Sequence, residues 1–517
     1  MGLLLFVQYA TLLLLGTLAV AVFRSLMKAR KYPPGPAAIP VLGNLHKLEN
    51  DFRYNYILEM SKTHGDFTFF YNPVLSVLVL SSYRAMQDLL VNRGSKYSDR
   101  PGSSIVELMG TGSLITEPFG PKWKLQRKLF HQHLNKAALP QYWSIAEHEA
   151  KRCTLRLQRD PNNWSDELRL NTTRVILGIT YDARDIFATD DERALASGEF
   201  LGHVIETLSP GLFWVDIFPS LKYIPSWIPL LGKEIKKLSK WGEQDRTVIP
   251  KSFYVVKGQK EAGIAKPSFA LSLLEDNATD ERTMAWLSAS MYGGGSDTIW
   301  TALQAFLLAM VLYPEAQKKA QDEIERVVGN DRLPGMHDRD SLPYVENLIK
   351  EVLRWWLLAP GAISHRLMED DEYKGYFIPK GTVIVPSTWY DERFRAKLFI
   401  LFLPSCTSRC ISRDEEMYPD PETFRPERFT EPNADGQLPL DPHKFAFGVG
   451  RRVCPGLDFG DMVLFSNVAI FLATSTILKG LDENGNEITP TTVPIHPVPG
   501  TLQVQNRAAP INSAPRH

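Results

Sequence analysis

The stretch FGVGRRVCPG, Phe447 to Gly456, constrains this chain more tightly than any other, because it sets one thiol among glycines, arginines and a proline. Gly448 and Gly450 allow the turn before the cysteine to bring backbone donors close to the sulfur. Pro455 suits the first position of a helix, and LDFGDMVLFSNVAIFLATS reads as its continuation. Cys454 would then stand at the N-terminal end of that helix, where the dipole and free N–H groups stabilise a thiolate. Arg452 lies two residues back and can reach an anionic group beside the sulfur. A lone cysteine is usually a small core hydrophobe. Here the setting favours an anion, either a nucleophile or a metal ligand. A nucleophile needs a base, and nothing in the sequence orients the nearby His443, so the ligand reading leads.

The rest of the chain narrows the setting. Four cysteines in 517 residues, Cys153, Cys406, Cys410 and Cys454, are too few for a disulfide framework and point to a reducing compartment. A net charge of −1 gives no sign of nucleic-acid binding, and none is expected. Leu3 to Phe23 is 21 residues without a charge, long enough to span a bilayer as a helix. The basic residues Arg24, Lys28, Arg30 and Lys31 follow this run, where a cleaved signal peptide would want one before it. Positive charge stays on the cytoplasmic side, so an uncleaved anchor is expected at 3–23, with the remaining chain in the cytosol. KYPPGPAAIP, at 31–40, reads as a stiff proline-rich hinge. No second linker follows, so 41–517 reads as one large domain. Asn163, Asn171 and Asn277 match the glycosylation pattern but would stay unmodified in a cytosolic domain.

The predicted class is mainly α with a small β portion. Phe67 to Ser81 alternates like strand. Helical patterns run from Glu281 to Tyr313, stopped by Pro314, and from Tyr344 to Leu358, stopped by Pro360. A short strand pair is expected around YKGYFIPKGTVIVPS.

Two places break local rules. The first of these helices contains MYGGGSDTIW, and each glycine in a helix interior costs about 1 kcal/mol against alanine. Asp297 and Thr298 follow directly, and such a conflict marks a functional site or a close helix crossing. On the functional reading a bulky flat ligand lies against bare backbone, and the acid and hydroxyl feed it protons. The second is Glu351 and Arg354, three apart and hence on one helix face. An exposed pair of this kind contributes little, but Val352, Leu353, Trp355 and Trp356 imply burial. A buried pair needs a further partner, and PERF, Pro426 to Phe429, offers Arg428.

Together these residues resemble the cytochrome P450 family of haem-thiolate monooxygenases, and the likeness spans nearly the whole chain. FGVGRRVCPG is similar to the family's haem-binding signature at Phe447, Gly450, Arg452, Cys454 and Gly456. Glu351-Val-Leu-Arg354 resembles its Glu-x-x-Arg element, with Arg428 as the third member of that network. Gly294-Gly-Ser-Asp297-Thr298 resembles its oxygen-activation motif, and Trp123-Lys-Leu-Gln-Arg127 its early Trp-x-x-x-Arg. The resemblance implies the family's fold behind an N-terminal transmembrane helix, and haem b with Cys454 as the axial thiolate. It implies that Trp123, Arg127, His365 and Arg452 hold the haem propionates, and that Asp297 and Thr298 support proton delivery across a helix distortion. Glu351, Arg354 and Arg428 would form a structural lock. It also implies NADPH–cytochrome P450 reductase as the electron donor, with KWKLQRK (Lys122 to Lys128) as a candidate docking face, and an endoplasmic reticulum location. The expected substrate is a hydrophobic small molecule of secondary metabolism, terpenoid or polyketide-like, met by PGSSIVELMGTGSLITEPFG and LFWVDIFPSLKYIPSWIPLL. Desaturation or rearrangement instead of hydroxylation or epoxidation stays open.

One region departs from the family. GTVIVPSTW should run almost directly into ISRDEEMYPDP, yet YDERFRAKLFILFLPSCTSRC intervenes, Tyr390 to Cys410. Its KLFILFLP is apolar, whereas an adaptive loop should be polar. The expectation is that 390–409 translates a retained intron, whose removal would join Trp389 to Cys410 in frame. A lineage-specific loop is the other reading. Cys406 and Cys410 resemble a zinc pair, but no partner motif accompanies them. An insertion here would disturb the region before the cysteine loop, so a catalytically impaired protein is the alternative function.

Overall fold

A computed structural model of the chain describes residues 31–39, 63–72, 75–182, 213–229, 231–277, 279–356, 363–386, 411–432, 436–482, 484–490 and 502–507, with scattered positions in 13–24, 43–44, 60 and 199–207. Most of the expected anchor at 3–23 lies outside these residues, and the expected insertion at 390–409, with Cys406 and Cys410, lies wholly outside them.

The described residues are mainly helical. The strands β1 (Phe67–Phe70) and β2 (Val77–Leu80) precede the helices α1 (Pro121–Leu134), α2 (Trp143–Arg159), α3 (Trp164–Tyr181) and α4 (Leu231–Val248). The helices α5 (Lys251–Glu261), α6 (Phe269–Asp276), α7 (Glu281–Leu312), α8 (Pro314–Val328) and α9 (Pro343–Trp355) follow. Then come β3 (His365–Arg366), β4 (Asp371–Tyr373), β5 (Tyr376–Ile378) and β6 (Val383–Pro386). The chain ends on α10 (Leu457–Thr474), β7 (Ser475–Leu481), β8 (Glu487–Ile488) and β9 (Leu502–Asn506). Helices of seven residues or fewer, such as Ser103–Met109 and His443–Ala446, are left unnumbered.

The central element is α7. Asp280 caps it by accepting the Thr283 N–H, and the chain leaves it at Tyr313 before Pro314 starts α8. Most residues of α7 are buried, because side chains are apolar around most of its circumference. The same holds for α10. Both are long and apolar enough to cross a membrane, yet 67% and 72% of their most apolar windows are buried inside the protein, so both are core helices. α9 is different: one stripe is apolar and buried, and Glu351 and Arg354 lie on that buried stripe.

β1 and β2 form the antiparallel hairpin expected from Phe67 to Ser81, with Phe67 opposite Leu80. The later strand pair is not a pair. β5 folds back on β4 through Lys374 and Gly375, both left-handed, while β6 runs parallel to β2 with Val77 opposite Val383. β3 closes the other edge, His365 opposite Ile384, giving the order β1-β2-β6-β3. β2 and β6 are buried along their whole length, which suits strands made of Val, Leu and Ile. The hinge residues lie against this sheet: Pro34 accepts the Phe69 N–H at 2.8 Å, and Tyr32 stacks on Phe69 and Tyr71 at 5.1 and 4.9 Å.

Candidate functional site

The cysteine loop is held by its own backbone. Cys454 N–H donates to Phe447 O at 2.8 Å, and Val453 N–H to Gly450 O at 3.2 Å. Gly450 has φ +65°, and a Cβ there would lie 2.1 Å from Leu90 O. Position 450 is therefore closed to any side chain on two counts. Gly450→Ala is expected to destabilise the chain by about 2 kcal/mol or more, read as a lower melting temperature. The helix after the loop begins at Leu457 with Gly456 as its cap, two residues later than Pro455 predicted. Pro455 and Gly456 form a turn that aims the Gly456 N–H at the sulfur.

Cys454 is enclosed by protein and still has free surface, so its sulfur opens onto an internal cavity. Burial pushes its thiol up, opposed by the Gly456 N–H and by Arg127. Helix end and donors alone thus do not make the anion expected from the sequence. Desolvation wins, and a bound cation has to displace the proton.

Beside the sulfur is a cluster of cations. Arg452 donates from Nε to Ser98 O and from Nη2 to Glu117 O, both at 2.8 Å, with its guanidinium 4.4 Å from the Trp123 ring centre. Its Nη1 is buried with no hydrogen-bond partner among the described residues. Burial, with a contribution from Arg127, lowers Arg452 to about 10. The Arg127 guanidinium, from α1, forms no hydrogen bond or ion pair among the described residues, and burial lowers it too. His365 donates from Nδ1 to Tyr97 O at 2.7 Å, and burial together with Arg100 and Arg452 holds it well below the ordinary imidazole range.

Arg100 belongs to this cluster and was missed in the sequence. It is buried, giving Nε to Ile115 O at 3.1 Å and Nη1 to Ile363 O and Ser364 O at 2.8 and 2.7 Å. The available signal was an arginine just before Pro101, in a stretch claimed by no helix or strand pattern. The nearest acid, Asp99, is engaged by Arg366 and by the Phe119 N–H. Among the described residues no carboxylate pairs with these three guanidiniums and the imidazole, which fits a ligand carrying carboxylates.

On α7, the glycines have two different surroundings. A Cβ on Gly294 would meet nothing within 4 Å, while one on Gly295 would lie 2.6 Å from Ile176 Cδ1 on α3. The crossing reading accounts for Gly295, and open space lies beside Gly294. Thr298 is exposed although it lies mid-way along a buried helix. Its hydroxyl donates to Gly294 O at 2.8 Å, and Thr301 repeats this bond to Asp297 O one turn on. The helix is continuous here, so the expected distortion is replaced by hydroxyl-to-carbonyl bonding. Asp297 pairs with Arg169 of α3 at 3.5 Å. Burial raises its carboxyl above the usual range, opposed by that arginine.

Behind the loop is the predicted lock. Glu351, Arg354 and Arg428 are buried to within 1%. Arg354 meets Glu351 with Nε and Nη2 at 2.8 and 2.7 Å, and Arg428 Nε meets Oε1 at 3.0 Å. The remaining guanidinium donors serve carbonyls of Ser412, Pro419, Asp420, Pro421 and Thr423. This pins the segment from Ile411 to Phe429. His443, which nothing in the sequence oriented, is fixed by two carboxylates, Asp441 at 2.8 Å and Asp461 at 3.0 Å. With both ring nitrogens engaged it is no base for the cysteine.

A flat group with bare backbone on one face, a sulfur on the other and carboxylates at its edge answers all of these features at once. That defines a haem-thiolate protein. The sequence profile described as Cytochrome P450 matches residues 33–393 and 406–503, and its break falls inside 390–409. The chain is 36% identical over 484 residues to cytochrome P450 monooxygenase COX2 of Coprinopsis cinerea, covering 92% of this chain and 88% of that one. It is 34% identical over 519 residues to cytochrome P450 monooxygenase claR of Ampulloclitocybe clavipes, covering 96% and 89%. The chain belongs to the cytochrome P450 family, and it is a monooxygenase that uses haem.

Proposed function

We propose that this monooxygenase hydroxylates or epoxidises a hydrophobic small molecule, terpenoid or polyketide-like, in secondary metabolism, drawing electrons from NADPH through a membrane-bound reductase. The observation that carries the substrate class is the segment after Phe213. Trp214, Phe218, Tyr223 and Trp227 are 47, 42, 77 and 80% exposed, an apolar surface on a segment whose Phe213 and Val215 are buried in a cluster with Ile105 and Met109. Such a face suits contact with a bilayer and entry of apolar molecules from it. The anchor expected at 3–23 supports the same reading, with the enzyme at the endoplasmic reticulum membrane and its catalytic domain in the cytosol. Lys124 and Lys128 are exposed on α1, on the face assigned to the reductase.

In this reading Cys454 would ligate the haem iron, and Trp123, Arg127, His365 and Arg452, joined by Arg100, would hold the propionates. Phe447, Gly450 and Gly456 shape the loop beneath. The haem, when bound, supplies the oxidising centre, and the thiolate pushes electron density into it. The chain's own part is positioning and proton supply. Gly294 leaves open space beside α7. Asp297, at its ion pair with the part-exposed Arg169, takes up protons from solvent, and Thr298 Oγ1 releases them into the cavity. Thr298→Ala is expected to lower product formation about a hundredfold while NADPH consumption continues, read as the ratio of product to NADPH used.

Co-expression with a reductase tests the reaction type. The expected outcome is an NADPH-dependent product carrying one added oxygen. A product with no added oxygen would favour desaturation or rearrangement.

The alternative of impaired catalysis turns on 390–409. Ile411, two residues beyond its end, is fully buried, Ser412 O accepts from Arg354, and Arg413 donates to Trp355 O at 2.9 Å. These contacts support a loop that forms with the insertion in place. Sequencing the transcript is expected to show a form in which Trp389 joins Cys410; a uniform message encoding the whole segment would contradict the retained-intron reading.

A further inference from the structure

His443 stands outside the haem site, yet its bonds join the two flanks of the cysteine loop. Nδ1 lies 2.8 Å from Asp441 Oδ1, just before the loop. Nε2 lies 3.0 Å from Asp461 Oδ1 on α10, just after it. A carboxylate only accepts, so both bonds require N–H on both ring nitrogens, which only the imidazolium has. The ring is parallel to that of Phe447, with centres 5.9 Å apart and planes within 5°. Phe447 in turn accepts the Cys454 N–H.

We propose that the His443 imidazolium is a brace that closes the cysteine loop from both ends and positions Cys454 for iron ligation. His443 is a positioning residue, acting through Phe447 and α10. The inference rests on Cys454 being the iron ligand.

The charged groups around it keep the brace intact. Arg339, from the turn Met336–Ser341, bonds both Asp461 and Glu346 of α9, and Lys350 of α9 lies 3.8 Å from Asp441. Burial opposes ionisation of Asp441, but its bond to His443 holds it at about 2. Asp461 is likewise lowered despite its burial. Burial also works against the imidazolium, and the bonds to Asp441 and Asp461 overcome it, raising His443 to about 9. A folded value above the ordinary 6.5 means the brace contributes fully below that pH, weakens as pH rises, and is lost above about 9.

The test uses the full-length, haem-loaded enzyme, reduced and saturated with carbon monoxide. The rate at which its thiolate-shifted Soret band is lost is followed from about pH 6 to about pH 10, alongside the melting temperature. In the native chain the rate is expected to rise about tenfold as pH passes through the window ending near 9. His443→Gln should lose the band rapidly at every pH, and His443→Arg, a permanent cation, should hold it across the range. Asp461→Asn should move the native transition to lower pH. A native rate that does not change with pH, His443→Arg following the native alkaline loss, or His443→Gln keeping the native profile would each overturn the brace. If His443→Gln yields no folded protein, the native, His443→Arg and Asp461→Asn profiles decide. Absence of a thiolate-shifted band from the native chain at every pH would instead overturn the ligand reading of Cys454.

Discussion

Glu351→Ala is expected to leave no folded haem protein. The substitution strands Arg354 and Arg428, two guanidiniums with 0 and 1% side-chain exposure whose shared carboxylate is gone. Removing one partner of a buried ion pair costs about 3–5 kcal/mol, a large part of the total stability of about 5–15 kcal/mol in an ordinary domain. The loss spreads, because the same guanidiniums hold the carbonyls of Ser412, Pro419, Asp420, Pro421 and Thr423, and Arg425 N–H also donates to Glu351 Oε1 at 2.9 Å. Thermal unfolding by circular dichroism, with haem content measured on the same preparation, checks this. Glu351→Gln keeps an acceptor and loses the charge, so it should fall between native chain and Glu351→Ala. Native-like melting and haem content in Glu351→Ala would show that the network is not a structural lock.

Cys454→Ala should fail in a different way, with the fold kept and the chemistry lost. The sulfur opens onto the cavity and fills little of the core, so its removal costs little packing. What is lost is the thiolate, the group that Arg127 and the Gly456 N–H face. Circular dichroism and melting of the haem-free chain should match the native protein, while product formation falls to background. Retained turnover in Cys454→Ala would remove the cysteine from the mechanism.

The parts of this site that were legible in the sequence are those whose chemistry is written at short range. Glu351 and Arg354 share a helix face at a spacing of three, and the cysteine loop carries its glycines within six residues of the sulfur. Groups acting across the fold were not legible. Asp297 meets Arg169, His443 meets Asp461, and Arg100 donates to carbonyls of Ile363 and Ser364, contacts that only tertiary packing creates. β6 was misassigned to its sequence neighbour for the same reason, since its parallel partner β2 lies some 300 residues earlier. The thiol's upward shift could not be read either, because helix ends and donors appear in a sequence while desolvation depends on what covers the sulfur. The glycine run marked both the open space at Gly294 and the crossing at Gly295, but not which glycine did which.

The most direct test of a haem-thiolate site centred on Cys454 is the absorbance of the full-length chain, residues 390–409 included, reduced and exposed to carbon monoxide. The account predicts a thiolate-shifted Soret band in the native chain and none in Cys454→Ala. A native chain that binds haem but shows an unshifted band, or a shifted band that survives Cys454→Ala, would contradict it.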